Sequence, residues 1–110
     1  MLLFHKVLLL YQLYILRIEP VHKDSFDCIR SKIDEIDNEI FKLLDTRALL
    51  STYIYKYKIA ASKKLQDKTR ENAILNRLLK KKTTYLNKKM IRNIFTTIIS
   101  ECLKIQKTTQ

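Results

Sequence analysis

Residues 29–61 read IRSKIDEIDNEIFKLLDTRALLSTYIYKYKIAA, and this stretch decides the fold. Positions taken alternately four and three residues apart from Ile29 are apolar, with one exception at position 47. Such spacing is typical of the apolar stripe of one long amphipathic or coiled-coil-like helix, and neither Gly nor Pro interrupts it. This apolar stripe consists of Ile29, Ile33, Ile36, Ile40, Leu43, Arg47, Leu50, Ile54, Tyr57 and Ala61.

The length of this helix predicts a second chain. A helix from about Ser25 to Ser62 would be roughly 55–60 Å long, since each residue adds about 1.5 Å. A globular chain of this size has a radius of gyration of only about 13 Å. Because the rest of the chain cannot cover both ends of such a helix, we expect a homodimer.

Composition predicts an all-α protein of one domain, since the 110 residues include no Gly and one Pro. We expect a three-helix protomer with one long N-terminal helix. Asp24 or Ser25 is the expected cap of that helix, and Asp67 and Asn87 are the expected caps of the second and third. The expected inward residues are Ile74, Leu75, Leu78 and Leu79 on the second helix and Ile91, Phe95, Ile98, Cys102 and Ile105 on the third.

Residues 1–23 are predicted to form an apolar extension outside the main domain, which spans residues 24–110, with Pro20 near the boundary. The run over residues 7–16 has the length of a signal-peptide core, but no small-residue cleavage site follows it. It is too short to span a membrane. Three interpretations stay open for residues 1–16: a helix packed on the dimer, a peripheral membrane contact, or a leader without a structural role.

The net charge of +11 is compatible with binding either nucleic acid or a small anionic substrate. Sixteen of the 22 basic residues are Lys, a bias that an A/T-rich coding sequence would also give. Cys28 and Cys102 lack metal-ligand spacing, and His5 and His22 have no companion ligands nearby. We therefore expect no metal and reduced thiols, as in a cytoplasmic protein.

Several polar residues lie on faces expected to be apolar. Lys58 follows Arg47 by eleven residues, three turns plus about 20°, so both project from the same side of the helix. Arg30 is about 100° away and points elsewhere, and a partner chain is one candidate for what it faces. Alone, Arg47 would more often extend to solvent or pair with a neighbouring glutamate than bind a ligand. Lys58 alone would be a solvated helix end.

The second and third helices add to this set. Arg70 and Glu71 precede the apolar residues of the second helix by one turn, and Gln106 follows Cys102 by one turn. Alone, the first two would be a charge pair at a helix start, and Gln106 a surface residue. Together, several cations, one carboxylate and one amide inside a helical bundle make a poor core and a good pocket for a small dianion.

The sequence resembles the all-helical chorismate mutase family over about residues 28–107. The resemblance lies in IRSKIDEID at 29–37, LLDTR at 43–47, Lys58, DKTRE at 67–71 and IISECLKIQ at 98–106. It implies an intertwined homodimer with shared active sites that rearranges chorismate to prephenate without a cofactor, on the route to phenylalanine and tyrosine. The chain stops after the third helix, so we expect no attached dehydratase, dehydrogenase or amino-acid-sensing domain.

The resemblance also implies roles for individual residues. Arg47 would bind a substrate carboxylate in its own subunit, and Arg30 would reach into the partner's site. Lys58 and Gln106 resemble the pair that hydrogen-bonds the ether oxygen of the breaking C–O bond.

The remaining site residues would surround the substrate. Glu71 resembles the residue that accepts a hydrogen bond from the ring hydroxyl, helped by backbone near Asp67. Arg70 matches a further cationic position. Cys102 stands where the family often has Ser, and a thiol is a weak donor, so one hydrogen bond to a substrate carboxylate would be weaker here.

These residue types suit a unimolecular rearrangement, which needs orientation of the substrate and donors for a growing negative charge rather than a nucleophile. Three rival functions remain. An isochorismate pyruvate lyase shares the fold and binds a similar dianion. A small basic helical protein that binds nucleic acid would place its cations on one solvent face. An inactive relative or a partner-binding module would have no need of the full set of charged residues that is present here.

Overall fold

The computed structural model describes residues 6–10 and 25–108, and every regular element in these residues is helical. Residues 25–108 form helix α1 (Phe26–Ala60), helix α2 (Lys68–Leu79) and helix α3 (Lys88–Thr108), while residues 6–10 are also helical. The predicted all-α class is therefore confirmed. The boundary at Pro20, the alternative cap Asp24 and most of residues 1–23 lie outside the described residues. Across the described part, no helix is both long enough and apolar enough to pass through a bilayer.

Side-chain caps begin all three of these helices. The Ser25 hydroxyl accepts from the amide three residues later at 3.2 Å. Asp67 and Asn87 do the same through their side-chain oxygens, at 2.9 Å and 2.8 Å. Each cap satisfies one of the amides that a helix start leaves without a partner. The caps predicted at Asp67 and Asn87 are confirmed, and Ser25 caps α1.

Helix α1 ends in a Schellman motif, two residues before the predicted end at Ser62. The Lys63 amide donates to the Lys58 carbonyl at 2.8 Å, and the Ser62 amide donates to the Ile59 carbonyl at 3.1 Å. Ser62 has a φ of 53°, the left-handed conformation that this motif requires and that glycine usually supplies. Since the chain contains no glycine, a serine adopts this conformation here.

Replacing Ser62 by glycine is expected to stabilise the protein by about 0.5–1 kcal/mol. The left-handed conformation costs an L-residue about 1–2 kcal/mol, and the greater flexibility of unfolded glycine offsets part of that gain. Urea denaturation at one fixed protein concentration measures the change. Ser62→Ala is the matched control, because it keeps Cβ and removes only the hydroxyl. If the glycine variant is no more stable than the alanine variant, the left-handed conformation at position 62 does not cost the folded protein free energy.

The chain divides into two units, residues 1–41 and 42–110. In the second unit, α2 packs against α3, and the buried apolar residues are Ile74, Ile91 and Cys102, each 6–8% exposed. From residue 42 onward, α1 brings no Cα atom within 8 Å of a Cα atom of α2 or α3. This part of α1 therefore reaches α2 and α3 through long side chains, and space is left between the backbones.

The apolar stripe of α1 is largely uncovered by the described part of the chain. Within residues 25–41, Ile33 is 51% exposed and Ile40 is 49% exposed. Within residues 42–108, Leu43 is 69% exposed, Leu50 54% and Tyr57 78%. Apolar side chains that repeat at helical spacing and are exposed to water are typical of a surface that packs against another helix.

Candidate functional site

A pocket of about 850 Å³ occupies the space between the C-terminal part of α1, the connection over residues 61–67, and helices α2 and α3. All of its lining residues belong to the unit of residues 42–110. The volume is in the usual range of small-molecule sites, which are mostly apolar with a few polar groups. The polar and charged lining residues are Arg47, Ser51, Lys58, Lys63, Asp67, Arg70, Glu71 and Gln106, together with three tyrosine and cysteine side chains, Tyr53, Tyr57 and Cys102.

The helices position these groups as the sequence periodicity predicts. Arg47 and Lys58 are both half-buried on α1 and face the same pocket. The Asp67 cap starts α2 so that Arg70 and Glu71 fall in its first turn, at the pocket wall. On α3, Gln106 is only 8% exposed although it lies near the end of the helix.

A hydrogen bond between Lys58 and Gln106 spans the pocket. The Lys58 ammonium donates to Gln106 Oε1 at 3.0 Å and also donates to the carbonyl of Leu65. An ammonium has three N–H donors, so one remains for a ligand. Because the oxygen of the Gln106 amide is the acceptor, its NH₂ group is left to donate as well. Two different side chains therefore offer donors to the same region of the pocket.

The pocket has an excess of positive charge. Four cationic side chains and two carboxylates line it, which gives a net charge of +2. Among the described residues, the side chains of Arg47, Arg70 and Glu71 form no ion pair or hydrogen bond. Arg47 is thus not paired with a glutamate of the described chain, which was one of the two alternatives to ligand binding for this residue. A pocket with more cations than carboxylates, in which Arg47 and Arg70 have no ion-pair partner, favours an anionic ligand.

Seven of the eight predicted site residues are brought together by the structure. They are Arg47, Lys58, Asp67, Arg70, Glu71, Cys102 and Gln106. Arg30 is not among the residues that line the pocket. It is exposed, and its guanidinium carbon lies 4.2 Å from the centroid of the Phe26 ring. This distance is within the range of a cation–π contact.

Besides Tyr53 and Tyr57, two polar lining residues were missed from the sequence, Ser51 and Lys63. Ser51 is 7% exposed, and its hydroxyl donates to the Arg47 carbonyl at 3.1 Å. Its position four residues after Arg47 and seven before Lys58 puts it on the same helix face, so the spacing could have identified it. Lys63 follows the end of α1, where helical spacing no longer applies, so no such signal existed for it.

Cys102 forms part of the pocket wall on α3 as a free thiol that is 8% exposed. Its sulfur can offer a ligand only a weak hydrogen bond. Within residues 6–10 and 25–108, no group of three or more His, Cys, Asp or Glu side chains is placed to hold a metal ion.

Comparison with protein families gives a match over most of the chain. The model of the family described as chorismate mutase type II matches residues 29–107, which include α1 from Ile29 onward, all of α2 and most of α3. The comparison with individually curated proteins gave no match. The matched segment covers more than half of the chain and contains all eight predicted site residues. The chain therefore belongs to the chorismate mutase type II family.

Proposed function

We propose that this protein is a chorismate mutase, an isomerase that rearranges chorismate to prephenate. The observation that carries the proposal is the pair of Lys58 and Gln106, with Lys58 Nζ 3.0 Å from Gln106 Oε1. This pair lies in a pocket of net charge +2 whose Arg47 has no partner in the described chain. Chorismate is a dianion with two carboxylates, one ether oxygen and one ring hydroxyl, and each group has a chemically matched residue here.

The two carboxylates would be held by arginines. Arg47 of one chain and Arg30 of the other offer planar donor pairs that match a carboxylate, with Arg70 as a further cation, and charge-assisted bonds of this kind are stronger than neutral ones. Holding both carboxylates folds the enolpyruvyl side chain over the ring, which brings the two carbon atoms that must bond close together. Orientation is a large part of catalysis for a reaction within one flexible molecule.

The ether oxygen would be stabilised by the donors that Lys58 and Gln106 retain. During the rearrangement the ether C–O bond breaks while a C–C bond forms between the enolpyruvyl methylene and the ring. The electrons move in one cyclic step, and no atom or proton is gained or lost. Negative charge grows on the ether oxygen as its bond breaks, so donors fixed in advance lower the barrier. Glu71 would accept from the ring hydroxyl and orient the ring.

We also propose that the protein is a homodimer with two shared sites. The apolar stripe of α1 is exposed along its length, including Ile33 at 51% and Leu43 at 69%. The apolar stripe of α1 in a second copy of the chain would pack against it and bury these side chains. Arg30 is exposed, and the family resemblance supports its role as a cation delivered to the partner's site. The free thiols Cys28 and Cys102 support a reducing, cytoplasmic setting.

The dimer is expected to lose its fold when it dissociates, because the apolar stripe has no other cover. Sedimentation across a dilution series, followed in parallel by circular dichroism, measures both properties. We expect a dimer over the folded range and a midpoint of thermal unfolding that rises with protein concentration. A folded monomer whose stability is independent of concentration would contradict the shared-site arrangement.

The function is tested by incubating the purified protein with chorismate and identifying the product. Prephenate is the expected product, and Arg47→Ala is the control for a contaminating activity. A parallel incubation with isochorismate distinguishes the related lyase, which would release pyruvate. Pyruvate release from isochorismate without turnover of chorismate would replace the proposed function by the lyase. Turnover of neither substrate would contradict both.

A further inference from the structure

We propose that Lys63, in the connection between α1 and α2, is a further substrate-binding residue that pairs with a carboxylate at the solvent edge of the pocket. The inference rests on the proposed function. Lys63 is exposed, yet it lines both the 850 Å³ pocket and a smaller neighbouring pocket of about 400 Å³. Lys63 therefore lies at the solvent-exposed edge of the 850 Å³ pocket.

The backbone of Lys63 is fixed on both sides. On one side, the Schellman motif joins the Lys63 amide to the Lys58 carbonyl at 2.8 Å, with Ser62 held at φ 53°. On the other side, the Lys58 ammonium donates to the carbonyl of Leu65. Lys58 therefore holds the connection through its main chain and its side chain. The position of Lys63 at the pocket edge is set by the same residue that would serve the ether oxygen.

The charge of the pocket depends on Lys63. Without its ammonium, three cations and two carboxylates would remain, and the net charge would fall from +2 to +1. The side chain of Lys63 forms no ion pair or hydrogen bond among the described residues, so its ammonium is available to a ligand. Asp67 does not neutralise it by contact, because that carboxylate accepts from the Arg70 amide as the α2 cap.

The expected effect is on binding rather than on the chemical step. An exposed ammonium in contact with a carboxylate contributes modestly, because water screens the interaction. It interacts with a carboxylate whose charge is the same in the substrate and the transition state, so it lowers KM and leaves kcat nearly unchanged. Lys64 supplies a matched comparison, because it is the next residue and lines only the smaller pocket, not the 850 Å³ pocket.

The experiment measures kcat and KM for chorismate in the full-length dimer, with Lys63→Gln, Lys63→Glu and Lys63→Arg against Lys64→Gln. We expect Lys63→Gln to raise KM about fivefold with kcat within about twofold. Lys63→Glu should raise KM further, and Lys63→Arg should keep it near wild type. Lys64→Gln should change neither constant by more than about twofold.

The outcomes separate this inference from the proposed function. A wild-type protein that does not turn over chorismate contradicts the proposed function, and the role of Lys63 falls with it. A wild-type protein that is active, with Lys63→Gln unchanged in KM, overturns only the role of Lys63. Equal effects of Lys63→Gln and Lys64→Gln also overturn it, because they would reflect general charge alone. Thermal melts of each variant identify a loss of fold, and Lys63→Arg then decides whether charge at this position restores KM.

Discussion

Lys58→Ala is expected to lower kcat a few hundred-fold or more while leaving most of the folding free energy in place. Loss of one donor to a developing oxyanion costs roughly 3–4 kcal/mol of transition-state stabilisation. The ammonium supplies that donor from a position fixed by Gln106 Oε1 at 3.0 Å and by the carbonyl of Leu65. Steady-state kinetics with chorismate, together with thermal melts, measures the two effects separately.

Lys56→Ala is the matched control for this substitution. Lys56 is an exposed lysine on the same helix, two residues away, and its ammonium lies near the Tyr53 ring at 5.9 Å rather than in the pocket. It should retain near-normal kcat and KM. Near-normal turnover in Lys58→Ala would remove the role at the ether oxygen. Unfolding of Lys58→Ala would instead indicate that the main role of Lys58 is structural, through its hydrogen bond to the Leu65 carbonyl.

Mixing Arg30→Ala with Arg47→Ala is expected to restore activity that neither variant has alone. Each variant loses a charge-assisted bond to a substrate carboxylate, so each homodimer should be nearly inactive. If Arg30 serves the partner's pocket and Arg47 its own, a mixed dimer has one site without either arginine and one site with both. Unfolding and refolding the two variants together exchanges the chains.

Statistical exchange makes about half of the dimers mixed, each with one intact site, so activity should recover to about a quarter of wild type. The control is Arg47→Ala mixed with Arg70→Ala. Both of these arginines line the pocket of their own chain, so no site in the mixed dimer is intact and nothing should recover. If native mass spectrometry verifies chain exchange but activity stays absent, Arg30 does not cross the interface.

The helices of this protein could be predicted closely because their signals are local. Apolar spacing identified α1, and the short polar side chains of Asp67 and Asn87 marked two helix starts that the structure confirms. The end of α1 was placed two residues late, at Ser62 rather than Ala60. Without glycine or proline, nothing in the local sequence showed that Ser62 adopts a left-handed conformation.

The site was more predictable on the helices than between them. Helical periodicity indicated six of the seven residues, and the family resemblance gave them roles and added Asp67, which precedes α2. The width of the gap between α1 and its neighbours depends on long-range packing, which no local pattern records. That gap decides that Lys58 meets Gln106 and that Lys63 reaches the pocket edge.

The uncompensated charge of the pocket has a consequence for how the protein meets other solutes. A pocket of net charge +2 with unpaired arginines is expected to attract other anions from solution as well as the substrate. Phosphate, sulfate and citrate carry more than one negative charge and compete for the same donors. The apparent affinity for substrate is then set by exchange against these ions, and it falls as their concentration rises.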